Sequence, residues 1–351
     1  MLLQTGMFCS DRLVSGVRTT RIAGHTRCSY AMFVPGLAVF CAVSVGYIHM
    51  TTNVFAMHVF PLDYGPSEAA QHAQIAPLCS RVDRNPEKCN EAIFRAMALD
   101  NITCPSACVT FDGYGRFNNN IIQLSNAIAK YVDPRLVPSG RRRSILLHSD
   151  FRQYVESYFD TAQLEKVCIF PAWYLSRELS KHAICQKISP HAIFSADEPR
   201  HHGLRLAWLL VGAIRVEVQE KNAAESAVFG TEYSALHVRS LENRCHLRHW
   251  NFFLPSNICD LSAKFVRGAL VGLGHLDEPI VICSDMQQNA SVQTLARELN
   301  ATLSPSTDLY FDFMLLLFSK RFVGNIVSSF SVNIARVRHA IFGPHSLDVL
   351  K

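Results

Sequence analysis

From residue 108 onwards the chain alternates between two apolar patterns. Short runs of strand length, CVTF (108–111), SILLH (144–148) and VCIF (167–170), are separated by segments with helical spacing. Between Asn119 and Val132 the residues Ile121, Leu124, Ile128 and Val132 fall on one helical face. Residues 204–218 read as a further buried helix. The second half alternates more cleanly, with strands at 234–238 (SALHV), 279–285 (PIVICSD), 301–303 (ATL) and 321–325 (RFVGN). Helices are predicted over 258–273, 292–299, 308–318 and 329–341, the last with Phe330, Ile334, Val337 and Ile341 as its inward stripe. Strands alternating with helices predict an α/β chain with parallel sheets covered on both faces. The pattern divides into an N-terminal lobe over 106–224 and a C-terminal lobe over 225–351, facing a cleft. In such sheets ligands lie beyond the carboxyl ends of the strands.

The N-terminal region follows another pattern. No Asp, Glu, Lys or Arg occurs from Cys28 to Leu62, and YAMFVPGLAVFCAVSVGYI (30–48) is about long enough to cross a bilayer as a helix. Arg12, Arg18, Arg21 and Arg27 precede it against the single acid Asp11, which would hold residues 1–29 on the cytoplasmic side. The expectation is a single-pass type II protein of the Golgi or endoplasmic reticulum membrane, anchored through 30–48, with a stem over 49–105 and a luminal remainder. A cleaved signal peptide is the competing reading, although its charged region would be unusually long. Nine cysteines follow the anchor: Cys79, Cys89, Cys104, Cys108, Cys168, Cys185, Cys245, Cys259 and Cys283. In a lumen most would pair, and the odd count leaves at least one unpaired or intermolecular.

The chain has 351 residues, 49% hydrophobic, and a formal net charge of +5. That balance fits an anionic small ligand and is too weak to argue for nucleic acid. Three loops after predicted strands carry the candidate chemistry. In FDGYGRFNNN, Gly113 and Gly115 permit a tight turn, and Asn118 and Asn119 open a helix whose free N–H groups attract anions. A nicotinamide fingerprint needs a third glycine where Asn118 stands, so that cofactor is not supported. In ALHVRSLENRC, His237 and Arg239 alternate along a strand and point to one face, with an arginine fork suited to a diphosphate. Glu242 follows as a base or as a partner for that arginine, a plain surface pair being the alternative. In KRFVGNIVSSFSVNIARVR, Ser328 and Ser329 open a helix where its dipole favours negative charge, with Phe330 beside them and Asp312 upstream. A carboxylate such as Asp312 can accept from the N1–H and amino group of guanine, which adenine and uracil cannot match.

Together GRFNNN, HVR and DFMLLLFSKRFVGNIVSSF, spread over about 108–340, resemble the GDP-fucose-dependent fucosyltransferases, the protein O-fucosyltransferases and core α1,6-fucosyltransferases among them. The resemblance implies a GT-B fold of two Rossmann-like lobes. It implies inverting transfer of L-fucose from GDP-β-L-fucose to a protein or glycan hydroxyl, with no cofactor and no metal. Carried over, His237 and Asp312 would read guanine, and Arg239 would bind the diphosphate and stabilise the leaving GDP. Gly115, Arg116, Ser328, Ser329 and Phe330 would line the donor site, with Asn119 near the β-phosphate and the sugar. The spacing from Asp312 to Phe322 and on to Ser328–Phe330 is similar to that of the protein O-fucosyltransferases, and Arg336 and Arg338 continue the match. Two departures stand out: Asn118 replaces the family's glycine, and Glu242, in a loop of variable length, is an insecure base. The other readings are a transferase for another nucleotide sugar and a luminal sugar- or peptide-binding protein of the same fold without turnover. Elsewhere, Cys245-His246 with His249 and Cys259 reads as a luminal disulfide with incidental histidines. Arg141–Arg143 read as a solvated loop and His201-His202 as surface.

Overall fold

The computed structural model describes residues 18–22, 25–29, 33–34, 37–38, 74–79, 85–99, 102–174, 185–194, 201–230, 232–239, 262–274, 277–305, 308–325, 328–343 and 347–350. The chain forms two compact units, Met1–Ala56 and Met57–Lys351. In the first, β1 (Arg18–Ile22) pairs antiparallel with β2 (His25–Ser29), and β3 (Phe33–Val34) with β4 (Leu37–Ala38).

This overturns the membrane-spanning helix over 30–48. The described residues of that run are the paired strands β3 and β4, and its other residues lie outside the described ones. No helix among the described residues is long and apolar enough to cross a membrane. With the helix go the signal anchor, the type II topology at a Golgi or endoplasmic reticulum membrane, and the membrane as a partner. Hydropathy alone does not distinguish a span from paired strands. Pro35-Gly36, a strong turn signal, interrupts the run well before the ~20 residues a span requires.

The second unit contains two parallel sheets. In the first, β5 (Cys108–Phe111) lies centrally, with β6 (Ser144–Leu147) and then β7 (Ile169–Pro171) on one side and β8 (Gln186–Lys187) on the other. In the second, β9 (Ser234–Val238) is followed outward by β10 (Ile280–Ser284) and β11 (Thr302–Leu303). On its other side lie β12 (Arg321–Gly324) and β13 (Leu347–Leu350). Both sheets thus start from a central strand, build one way and then reverse, the Rossmann-like arrangement expected of each lobe. The crevices open at the carboxyl ends of β5 and β8 in one sheet, and of β9 and β12 in the other.

The helices that matter for these crevices are α1 (Pro86–Ala96), α2 (Phe117–Tyr131), α3 (Arg152–Tyr158), α4 (Thr161–Lys166), α5 (Pro190–Phe194) and α6 (His202–Ala207). They continue with α7 (Val216–Ser226), α8 (Ala263–Gly272), α9 (Ala290–Leu299), α10 (Leu309–Leu317) and α11 (Ser329–Phe342). Alternate residues of the second sheet serve opposite faces. Ala235, Val281 and Phe322 join a large core that also takes in Val109, Phe111 and Ile145 of the first sheet, with Trp208, Phe313 and Ile334. Leu236, Ile282 and Val323 pack instead against Val266 and Leu270 of α8 and Val292 and Leu295 of α9. Burial on both faces explains why these strands read as continuous apolar runs.

Two details differ from the sequence pattern. The helix expected over 204–218 is broken: α6 passes into a wide turn at Trp208–Gly212, closed by the Ala213 N–H to the Trp208 carbonyl, before α7 begins. A Cβ at Gly212 would come within 2.8 Å of the Trp208 ring, so the glycine accommodates the buried indole. Residues 74–99, within the segment read as a stem, contribute buried Ile75, Ile93, Met97 and Leu99 to the core. There Asn85 caps α1, and Cys79–Cys89 ties it to the preceding turn.

Cys104–Cys168 and Cys108–Cys185 join the strands of the first sheet to their flanking loops. Cys283, buried on β10, is a free thiol. Cys245, His246, His249 and Cys259 lie outside the described residues. His202, expected at the surface, is buried beside Ser125 and Arg205, and burial pushes its imidazole down to about 3. Asn289 and Asn300, which carry glycosylation-type spacing, terminate α9: Asn289 caps its start and Asn300 adopts the left-handed conformation at its end.

Candidate functional site

The crevice of the second sheet is lined by the ends of β9 and β12 and by the start of α11. His237, on β9, is 4% exposed, and its Nδ1 lies 2.6 Å from Ser331 Oγ. Ser331 Oγ accepts from the Asn325 N–H at 3.1 Å, so its own proton is free to go to Nδ1, leaving Nε2 of His237 as the donor. Burial holds this imidazole down at about 4, with the nearby Arg239 also lowering it and Asp285 opposing. His237 is therefore neutral at physiological pH. Phe330 packs edge-on against it with ring centroids 5.0 Å apart.

Arg239 follows at the strand end. Its Nε lies 3.6 Å from Asp285 Oδ2, an ion-pair distance without a hydrogen bond, and that buried Nε has no hydrogen-bond partner. The arginine's carboxylate neighbour thus comes from the end of the adjacent strand β10. Glu242, the partner or base expected from the sequence, lies outside the described residues.

Asp312, on α10, sits one strand further across. Cys283 is in register with His237 on the neighbouring strand, and its thiol lies 4.0 Å from the Asp312 carbonyl. The Asp312 carboxylate accepts from Ser304 Oγ at 2.5 Å, just beyond the end of β11. Burial raises its pKa from 3.8 to about 6, against the lowering effect of the Ser304 and Cys283 donors.

The first lobe reaches this crevice through the start of α2. Gly115 turns the chain with φ of +75°, next to an exposed Arg116, and a Cβ there would meet Asn119 Nδ2 at 2.8 Å. Ser329 Oγ donates to Asn119 Oδ1 at 3.4 Å, and Asn333 Nδ2 donates to Asn118 Oδ1 at 2.8 Å. The N-termini of α2 and α11, 15 and 14 residues long, therefore meet. Neither receives a side-chain cap bond, and neither has an acid in its first turn, whereas α1, α4, α8, α9 and α10 are each capped by their own Asn, Asp or Ser. Two uncapped helix starts converging on one point concentrate N–H groups and positive potential there. Ser328 Oγ, 1% exposed, has no hydrogen-bond partner in this region.

Asn119, His237, Arg239, Asp312, Ser328, Ser329 and Phe330 thus lie around one crevice. Arg338 does not. It is 2% exposed and donates to the carbonyls of Leu317 and Ser319 at 2.7 and 2.6 Å, closing the carboxyl end of α10, and it pairs with Asp348 at 2.6 Å. The sequence reading missed Ser331, Asp285 and Ser304. Asp285 and Ser304 end or follow strands β10 and β11, and position at a strand's carboxyl end was the signal that marked them.

Among the described residues one group of side chains brings metal-type ligands together: Asp112, His148 and Asp150, at the carboxyl edge of the first sheet. Lys187 Nζ holds Asp112 Oδ2 at 3.0 Å, which sets a positive charge beside any cation there.

No protein-family model matches the chain. No curated protein matches it either. Solved structures do. POFUT1 in complex with GDP superposes with a TM-score of 0.43 at 13% identity, over 71% of this chain and 99% of that one. POFUT1 in complex with GDP-fucose gives 0.44 at 12%, again over 71% and 99%. NodZ alpha-1,6-fucosyltransferase co-crystallized with GDP gives 0.40 at 14%, over 65% and 91%. The likeness is one of general arrangement.

Proposed function

We propose that the chain is an inverting glycosyltransferase that takes L-fucose from GDP-β-L-fucose to a hydroxyl of a protein or glycan, without a required metal. The observation that carries this reading is the meeting of two long, uncapped, acid-free helix starts from the two lobes, next to Arg239 at the switch point of the second sheet. That combination suits a diphosphate: backbone N–H groups from both helices, serine hydroxyls and a guanidinium with a buried, unsatisfied Nε.

In this reading Arg239 and Asn119 stabilise the charge that gathers on the departing GDP, which matters because fucose leaves with oxocarbenium character. His237 offers Nε2–H and Asp312 its carboxylate to the guanine, Phe330 flanks the nucleotide, and Gly115, Arg116, Ser328 and Ser329 line the donor. The test is calorimetry of the full chain with GDP, GDP-fucose, GDP-mannose, ADP and UDP, without metal. GDP and GDP-fucose are expected to bind preferentially, and Arg239→Ala to weaken both by about 10- to 100-fold, the worth of charged hydrogen bonds. Equal binding of ADP and UDP, or no binding by folded protein, would overturn the assignment.

The hydrogen bond between Asn118 and Asn333 favours a second reading, because it latches the lobes together at the residue that replaces the resembled family's glycine. There the protein binds a sugar nucleotide without turnover. Release of free fucose from GDP-fucose decides between the two.

A further inference from the structure

Among the described residues, the donor site supplies groups for the leaving nucleotide but no free base for the acceptor's proton. His237 and Asp312 are both enclosed, and each is already engaged by a serine. At the other crevice, that of the first sheet, the ends of adjacent strands β5 and β6 place an exposed imidazole between two carboxylates. His148 Nδ1 lies 3.3 Å from Asp150 Oδ1 and 3.7 Å from Asp112 Oδ1, with the His148 side chain 47% exposed. Ser149 Oγ stands 3.4 Å from the same nitrogen. Lys187, on β8 across the switch point, binds the other oxygen of Asp112, which leaves Asp150 as the stronger partner of the ring. Two carboxylates at Nδ1 hold its proton there, so the lone pair lies on Nε2.

This cluster shares a loop with the donor site. Asp150 Oδ2 accepts from the Gly113 N–H at 3.2 Å, and Gly113 opens the turn that leads to Asn119, whose side chain meets Ser329 of the second lobe. Tyr114, 37% exposed on the same turn, stands against Phe194 with ring centroids 4.8 Å apart and against His191 at 6.0 Å. An exposed histidine at the carboxyl end of β6, beside an acid that holds the loop leading to the donor, has the arrangement of a general base.

We infer that His148, oriented by Asp150 and Asp112, is the general base that takes the proton of the acceptor hydroxyl; the inference rests on the fucosyl-transfer reading. As the acceptor oxygen bonds to C1 of fucose, its proton passes to Nε2 of His148. The bond from C1 to the β-phosphate oxygen breaks, and its electron pair leaves with GDP. Water can take the acceptor's place, so hydrolysis of GDP-fucose reports the step without a known acceptor.

The experiment measures GDP affinity by calorimetry and fucose release from GDP-fucose for the full chain and for His148→Gln, Asp150→Asn and Arg239→Ala. His148→Gln is expected to bind GDP as the wild type does and to release fucose about 100-fold more slowly, the low end for a general base. Asp150→Asn, which loosens the ring, should slow release less than His148→Gln. Equal fucose release by His148→Gln and wild type would overturn the base while leaving the donor site standing. Wild-type release that requires added Mg2+ or Mn2+, and loses that requirement in Asp150→Asn, would overturn it in favour of a cation site. GDP binding with no wild-type fucose release would overturn both the transfer reading and the base.

Discussion

Asp312→Asn should make the protein more stable and a poorer GDP binder at the same time. Asp312 is 9% exposed, and burial lifts its pKa from 3.8 to about 6 even though Ser304 and Cys283 donate to it. A carboxyl whose folded pKa lies above its unfolded value subtracts stability where it is ionised in both states, above about pH 6. The penalty shrinks as pH falls and vanishes below 3.8, where both states are protonated. The full difference corresponds to about 3 kcal/mol. An amide keeps the volume and an acceptor for Ser304 Oγ while removing the charge, but its new N–H donors need partners. We therefore expect a gain of about 1–3 kcal/mol at pH 7.5 and almost none at pH 4. Urea unfolding followed by tryptophan fluorescence at the two pH values measures this, alongside calorimetry with GDP. In the wild type the ionised fraction falls about tenfold between pH 7 and 5, so GDP affinity should weaken by about as much. A variant that is destabilised at pH 7.5, or shifted equally at both pH values, would refute the claim that the buried carboxylate is held against its solvation preference.

Arg338→Ala strips the carboxyl end of α10 of its donor and breaks the buried ion pair with Asp348. A loss of about 3–5 kcal/mol is expected, read as a lower denaturant midpoint. Replacing both Cys108 and Cys185 by serine opens a loop that Cys104–Cys168 already shortens to about 21 residues, and should cost about 3 kcal/mol on the chain-entropy account, measured the same way. Gly115→Ala forces an L-residue to φ of +75° and drives its Cβ towards Asn119 Nδ2. It should cost about 1–2 kcal/mol of stability and lower fucose release more than GDP affinity, since Asn119 is displaced and Arg239 is not.

Much of the fold was legible because the elements are long and their burial is periodic. The Ile121, Leu124 and Ile128 stripe, the SALHV and PIVICSD runs and the Phe330, Ile334 and Val337 stripe each reflect contact with a neighbouring layer, and each became an element. Strands of two residues such as β8 carry no comparable signal. The apolar run at 30–48 misled because hydropathy reports the preference for leaving water and not the structure that satisfies it. His201-His202 misled for the opposite reason: a polar residue type is no guide to burial once partners such as Ser125 are supplied from another helix.

The sequence by itself determined which strand ends carry polar residues, and hence that His237, Arg239 and the serines from 328 onward lie at the mouth of a sheet. That information is local, since alternation along a strand decides which side chains share a face. Tertiary structure alone decided the pairings. It set Asp285, from a strand more than forty residues on, beside Arg239 and placed Ser331 under His237. It also joined the starts of α2 and α11 through Asn119 and Ser329, 210 residues apart. Such contacts follow from the order in which strands enter the sheets, and no local pattern in the chain encodes that order.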